Sequence, residues 1–191
     1  VAGIAGGSAS GKSSFTRALT DVLKSGGIEP YILGMDSYFY RGAPGGPRLT
    51  LPSTGEDLPD NNHPNSADNV RLVADLDKLS VDPDGPAVII VEGLMALHVE
   101  EIRSRLDVRL FIELDADVRA LRRLLRDMSG ARGTTDPAWI ATYYRECARI
   151  GHMKYVEPSR AHADLIVRGD SDFARTAPMV AAVIQGLVAS R

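Results

Sequence analysis

Cysteine is almost absent from this 191-residue sequence. Cys147 stands alone, so no internal disulfide can form, and a reducing compartment, the cytoplasm, is the expected setting. Its ordinary reading is a partly buried core thiol. No apolar run approaches the roughly 20 residues of a membrane-spanning helix, so a membrane partner is not expected. An excess of basic charge is missing as well. With 22 Lys and Arg against 25 Asp and Glu the net charge is −3, which argues against a protein that coats nucleic acid. His98, His152 and His162 are too scattered for a zinc site. No repeat of about 20 to 50 residues is present, and no linker divides the chain, which reads as a single domain over residues 1–191. No signal peptide is visible. The chain opens on Val1 inside a strand-like run without an initiator methionine, so a few N-terminal residues are expected to be missing.

What is present is the composition of a soluble globular protein, 44% hydrophobic and 25% charged, long enough to bury a real core. Short β-branched runs, "VAGIA" (1–5), "PYILG" (30–34), "AVIIV" (87–91), "VRLFIEL" (108–114) and "DLIV" (164–167), read as strands. Segments 12–25, 68–80, 97–105, 115–128, 137–153 and 173–190 read as helices, the second carrying Leu72, Val73, Leu76 and Leu79 on one face. Near-continuous apolar strands alternating with helices predict an α/β fold, a five-stranded parallel sheet with helices on both faces. Such sheets bind ligands beyond the carboxyl ends of their strands. Residues 41–66 are crowded with Gly and Pro; a loop this long predicts a substrate-side flap.

Gly6 to Ser13, "GGSASGKS", fills the pattern G-x-x-x-x-G-K-[ST] after a strand and at the opening of a helix. Glycines there let successive amides approach an anion, and the helix N-terminus adds its dipole. Gly6, Gly7, Ser8, Ala9, Ser10, Gly11, Lys12, Ser13 and Ser14 are therefore candidate ATP-binding residues. In such a loop Lys12 reaches the β- and γ-phosphates and the Ser13 hydroxyl holds Mg²⁺. The pattern points to a nucleoside triphosphate and leaves its use open.

An N-K-x-D element for guanine is absent, and the D-x-x-G at Asp82–Gly85 precedes a strand, so it reads as a turn. The chain is short for a motor ATPase. A small-molecule kinase needs a carboxylate near the acceptor hydroxyl, a metal-side acid and cations for the transferring group. Asp36 follows the second strand, and Glu92 follows "AVIIV". Arg119, Arg122, Arg123 and Arg126 recur three and four apart on one side of a helix, with Arg132 in the loop beyond. Each has a plainer reading: a turn residue for Asp36, a strand-end carboxylate for Glu92, a solvated face for the arginines.

Together these segments resemble the uridine kinase-like family of P-loop kinases, related to phosphoribulokinase, almost end to end. "GIAGGSASGKSS" is similar to its phosphate loop, "DSYFYR" to its catalytic-aspartate segment, and "NNHP" to its N-[FY]-D-H-P element. "VEGLMAL", "LDADVRALRRLLRD" and "YVEPSRAHADLIVRG" resemble its E-G-I-L-A segment, its lid helix and its F-I-E-P-S tail. The resemblance implies a three-layer P-loop fold with a short lid near 128–136. It makes Asp36 the group that orients and deprotonates the acceptor hydroxyl, and places Ser13, Asp36 and Glu92 around Mg²⁺. Arg123 would contact the acceptor's sugar, while Arg126 and Arg132 would close on the triphosphate. ATP, Mg²⁺ and a small hydroxylated metabolite are the implied partners; a homo-oligomer is left open.

Departures cluster on the acceptor side. The family's ribose-binding Asp is Asn62, its second lid arginine is Thr134 or a neighbour, and its pyrimidine-reading glutamine is Tyr143. Only "VDPDGP" (81–86) precedes the E-G strand, too short for the family's base-binding hairpin. Tyr38 and His63 are further candidate acceptor contacts. The sequence thus supports a kinase more firmly than it supports uridine. A sugar or polyol acceptor, or a nucleotide-binding regulator without turnover, remains as an alternative.

Overall fold

In the computed structural model, which describes residues 1–131 and 133–190, five parallel strands form one sheet in the order β2-β5-β1-β6-β7. These are β1 (Ala2–Gly6), β2 (Tyr31–Gly34), β5 (Ile89–Glu92), β6 (Val108–Glu113) and β7 (Leu165–Arg168). A separate antiparallel hairpin joins β3 (Arg48–Thr50) to β4 (Asp57–Pro59). The helices are α1 (Lys12–Ser25), α2 (Asn69–Val81), α3 (Glu100–Arg103), α4 (Ala116–Arg126), α5 (Pro137–Tyr143), α6 (Arg149–Gly151), α7 (Glu157–Ser159) and α8 (Phe173–Ala189).

β1 is buried along its whole length because it pairs on both edges, with β5 from Ala2↔Ile90 and with β6 from Ala2↔Val108. Alternation sends Ile4, Leu110 and Ile112 to one face, where Phe15 and Leu19 of α1 and Ala181 and Ile184 of α8 cover them. Ala5, Val91 and Phe111 look to the other face, under Leu72 and Leu76 of α2, Ile102 and Val156. This is the predicted three-layer α/β arrangement. α2 starts where Asp68 accepts a bond from the Arg71 amide at 3.0 Å, and α8 where Asp172 accepts from Ala174 at 2.9 Å.

Three expectations need revision. The segment 97–105 is α-helical only over Glu100–Arg103. Before it, Met95, Ala96, Leu97 and Val99 are all buried, and successive turns, unlike a helix with one outward face, can point consecutive side chains inward. The helix predicted over 137–153 runs on through Ser159, because wide π turns at Tyr144–Ala148 and His152–Val156 join α5, α6 and α7. Pro158 lies just beyond the second wide turn, at the start of α7.

The flap is the third. Residues 41–66 carry the β3–β4 hairpin, whose turn passes through Gly55 at φ +71°. Leu49, Leu51 and Leu58 from it pack with Tyr143, Cys147 and Ala148, forming a small core of its own.

Candidate active site

β1 ends into the phosphate loop with φ angles few side chains adopt: Gly6 at +145°, Ala9 at +63° and Gly11 at +103°, the last immediately before α1. Gly169, just after β7, is needed for a different reason. A Cβ there would overlap the Ser10 carbonyl oxygen, so only glycine lets the fifth strand's end lie against the loop. Beneath the loop, Arg119 and His152 are both buried, and a Cβ on Gly7 would meet both of them. His152 Nε2 lies 3.1 Å from a Glu157 oxygen, yet burial, reinforced by Arg119, pulls the ring's pKa down to about 4. It is therefore a neutral floor to the loop.

Lys12 is buried and donates to the Gly7 carbonyl at 3.1 Å. Burial lowers its pKa to about 8, against the opposing pull of Glu92 and Asp36. The Ser13 hydroxyl donates to Glu92 Oε1 at 2.7 Å. A hydroxyl and two carboxylates make a hard-oxygen donor set, which fits Mg²⁺. Among the described residues no group of three or more His, Cys, Asp or Glu could hold a metal by itself, so such an ion would also lean on phosphate and water oxygens.

Lys12, Ser13, Ser14, Asp36 and Glu92 line a cavity of about 600 Å³ with Arg122, Arg126 and the turn Gly169–Ser171. Arg122 donates to the Gly169 carbonyl at 3.0 Å, which ties α4 to the turn after β7. Gly6, Gly7 and Ser10 form the back of the loop rather than its cavity face, while Ser8, Ala9 and Gly11 face it.

A second cavity, of about 210 Å³, opens on the other side of Asp36. Its apolar wall is Phe39, Leu58, Pro59 and Trp139; its polar groups include Asn61, Asn62, Arg123, Asp127 and Tyr143. The two cavities share Ser8, Asp36, Leu94 and Arg126.

Asn62 is buried and its side-chain amide donates to the Tyr143 hydroxyl and to Cys147 Sγ, each at 3.1 Å. Both donors are thereby engaged, and the carbonyl oxygen is what the amide can offer a hydroxyl. Burial pushes the Tyr143 phenol well above its usual value and the Cys147 thiol up to about 11, so both stay neutral. Arg123 lies over the Tyr143 ring at 5.2 Å, and Trp139 stacks on the same ring at 5.3 Å. Trp139, Tyr143, Cys147 and Gly151 come at every fourth position and all face the flap. An ideal α-helix would drift roughly 40° per such step; the wide turn at Tyr144–Ala148 unwinds it and keeps them aligned.

Two predicted acceptor contacts lie elsewhere. The short 3₁₀ turn Met35–Tyr38 carries Tyr38 away from Asp36 and onto α2, where its hydroxyl donates to Asp75 at 2.8 Å and Arg71 covers its ring. His63 Nδ1 accepts from the Asn65 amide at 3.1 Å, and its ring stands edge-on to Tyr155, so it caps a turn. Arg132 lies outside the described residues. Conversely, sequence reasoning missed Trp139, Leu58, Asp127 and Gly169. Only Gly169 carried a usable signal, its place just beyond a strand's carboxyl end.

The profile of the Phosphoribulokinase / Uridine kinase family matches residues 66–173. A uridine kinase of Deinococcus deserti is 35% identical over 188 residues, covering 87% of this chain and 86% of that protein. The chain belongs to the phosphoribulokinase/uridine kinase family. A uridine kinase of Staphylococcus epidermidis is also similar, 31% identical over 212 residues, covering 100% of this chain and 98% of that protein. The fold reaches further than the family. Shikimate kinase from Acinetobacter baumannii, solved with shikimate, superposes at a TM-score of 0.51 with 17% identity, over 99% of this chain and 93% of that one. Membership of this family makes the protein a kinase of the phosphoribulokinase/uridine kinase type.

Proposed function

We propose that the protein transfers the γ-phosphoryl group of ATP to a hydroxyl of a small metabolite seated between Asp36, the β3–β4 hairpin and α5. The observation that supports this most is the junction of the two cavities at Ser8, Asp36, Leu94 and Arg126. A triphosphate along the loop would end where an acceptor in the smaller cavity begins. Asp36 orients the acceptor hydroxyl and takes its proton as transfer proceeds, since a carboxylate is too weak a base to deprotonate an alcohol beforehand. Lys12 follows the phosphates, Arg126 meets the transferring group, and Arg123 with the Asn62 oxygen holds the acceptor's other hydroxyls. Ser13, Glu92 and Asp36 would hold Mg²⁺, which when bound neutralises phosphate charge.

The relatives are named for uridine, and uridine is the first acceptor to test. A specific observation favours a different one: Tyr143 and Asn62 are bonded to each other, leaving few free groups to read a pyrimidine edge. A site that hydrogen-bonds a substrate group rejects analogues lacking it by roughly 10⁴–10⁵-fold, whereas apolar contact discriminates only about 10–200-fold. We therefore expect uridine and cytidine to be poor acceptors, weakly distinguished, and a diol-bearing sugar or polyol to be better. ADP release across uridine, cytidine, ribose-type sugars and polyols decides between them. A uridine kcat/KM above about 10⁴ M⁻¹s⁻¹ restores the uridine kinase reading. In the same assay Asp36→Asn should lower kcat by about 10²-fold or more with little change in ATP affinity; an unaffected kcat places the base elsewhere. No ADP release with any acceptor would favour a regulator without turnover.

A further inference from the structure

Asp127 is the first residue after α4 and is only 4% exposed, yet it lies on the wall of the acceptor cavity. A buried carboxylate persists when it is paired and hydrogen-bonded. Here two arginines pair with it. Arg126 donates through Nε to Asp127 Oδ1 at 2.8 Å and brings Nη2 to the same oxygen at 2.8 Å. Arg123 approaches the other oxygen, Oδ2, at 3.3 Å.

The two arginines differ in their freedom to leave. Arg123 is 12% exposed and held over the Tyr143 ring, whereas Arg126 is 33% exposed and reaches both cavities. Asp127 faces the acceptor cavity alone. The guanidinium that a triphosphate would attract is therefore already held by a carboxylate, and Arg123 can remain as that carboxylate's counter-ion when it goes.

We propose, building on the nucleotide-binding reading above, that Asp127 is a positioning residue: it holds Arg126 beside the cleft in the nucleotide-free protein and yields it to the triphosphate. The pairing keeps Arg126 aligned and prevents two adjacent cations from repelling each other. It also opposes binding, since each triphosphate must first displace a carboxylate. Apparent affinity is thus lower than the loop and Arg126 would otherwise give.

The test is the affinity of the Mg²⁺ complex of β,γ-imido-ATP, measured by calorimetry. Asp127→Asn keeps the shape of the side chain and removes its charge, so affinity should rise by about 1.5- to 5-fold, the range of partly exposed ion pairs. In an Arg126→Ala background the same substitution should change nothing, because the competitor it releases is gone. A residue that merely shapes the pocket would leave binding unchanged or weaken it, and either result overturns the proposal, as does an equal gain in the Arg126→Ala background.

Because Asp127 is buried, the wild-type protein supplies a second measurement. The Arg126 Nε–H resonance, assigned by its loss in Arg126→Lys, should shift when the analogue is added. An unmoved resonance overturns the proposal. If the wild type does not bind the analogue at all, the nucleotide-binding reading fails and takes this inference with it. Binding without a response at Asp127 or Arg126 removes the inference alone.

Discussion

Around the phosphate loop, the largest single share of the groups that face the cleft comes from one stretch, residues 8–14, joined by Asp36, Glu92, Arg122, Arg126 and the Gly169–Ser171 turn. The positions within that stretch follow from backbone geometry: a strand, left-handed turns and a helix start. Around the acceptor cavity the groups come from Asp36, Leu58, Asn62, Arg123, Trp139 and Tyr143, on five separate segments. Side-chain packing brings the hairpin and α5 together, through the small core of Leu51, Tyr143, Cys147 and Ala148. One side of the cleft is written locally and the other is assembled at long range, so the two sides should respond differently to the same kind of damage.

The largest expected effect breaks the local side. Lys12→Ala should leave a folded protein by circular dichroism and lower turnover by about 10³-fold, the scale of losing one well-placed charged donor at a reacting group. Turnover near wild type would remove the phosphate loop from the mechanism. A smaller effect on the same side follows from the Lys12 pKa of about 8 in the free protein. A bound triphosphate favours the protonated amine and raises that pKa, so binding above pH 8 takes up a proton. Affinity for β,γ-imido-ATP should be nearly flat below about pH 7 and weaken as pH rises through 8, approaching tenfold per unit. Calorimetry in buffers of different ionisation enthalpy reads both the affinity and the proton uptake.

The long-range side should yield to a substitution far from any reacting atom. Leu51 is fully buried beneath the hairpin, and Leu51→Ala should cost about 2–5 kcal/mol of local packing. We expect the acceptor KM to rise several-fold while the ATP KM stays unchanged. Equal changes in both would show that the two sides are one cooperative unit.

The same division explains what could be read in advance. All five strands of the main sheet were legible: the inner ones as nearly continuous buried apolar runs such as "AVIIV", and the edge strands as short β-branched and aromatic runs, although Tyr31, Ile32 and Ile166 on them are exposed. The phosphate loop was legible because its chemistry needs fixed residues at fixed spacing. The β3–β4 hairpin was not: the abundance of Gly and Pro hid two three-residue strands whose only apolar anchor is Leu49, Leu51 and Leu58. Tyr38 and His63 were assigned by nearness in sequence to Asp36 and Asn62, but a 3₁₀ turn and a cap point them elsewhere. The pairing of Arg126 with its own neighbour, Asp127, was equally invisible, since adjacent residues on a helix usually face apart.

One continuous helical segment serves both sides of the cleft. From Trp139 to Cys147 it backs the acceptor cavity, at Gly151 it lies so close to Asn62 that a Cβ would overlap, and one residue later His152 supports the phosphate loop. Adding or deleting a single residue between Cys147 and Gly151 would rotate everything beyond it by roughly 100°. Gly151 would then turn away from Asn62, and His152 would leave Gly7. The spacing between these positions is therefore under tighter constraint than the identity of the residues that fill it. Among variants of this chain, substitutions should be tolerated across Arg149 and Ile150, both exposed, while length changes there should not.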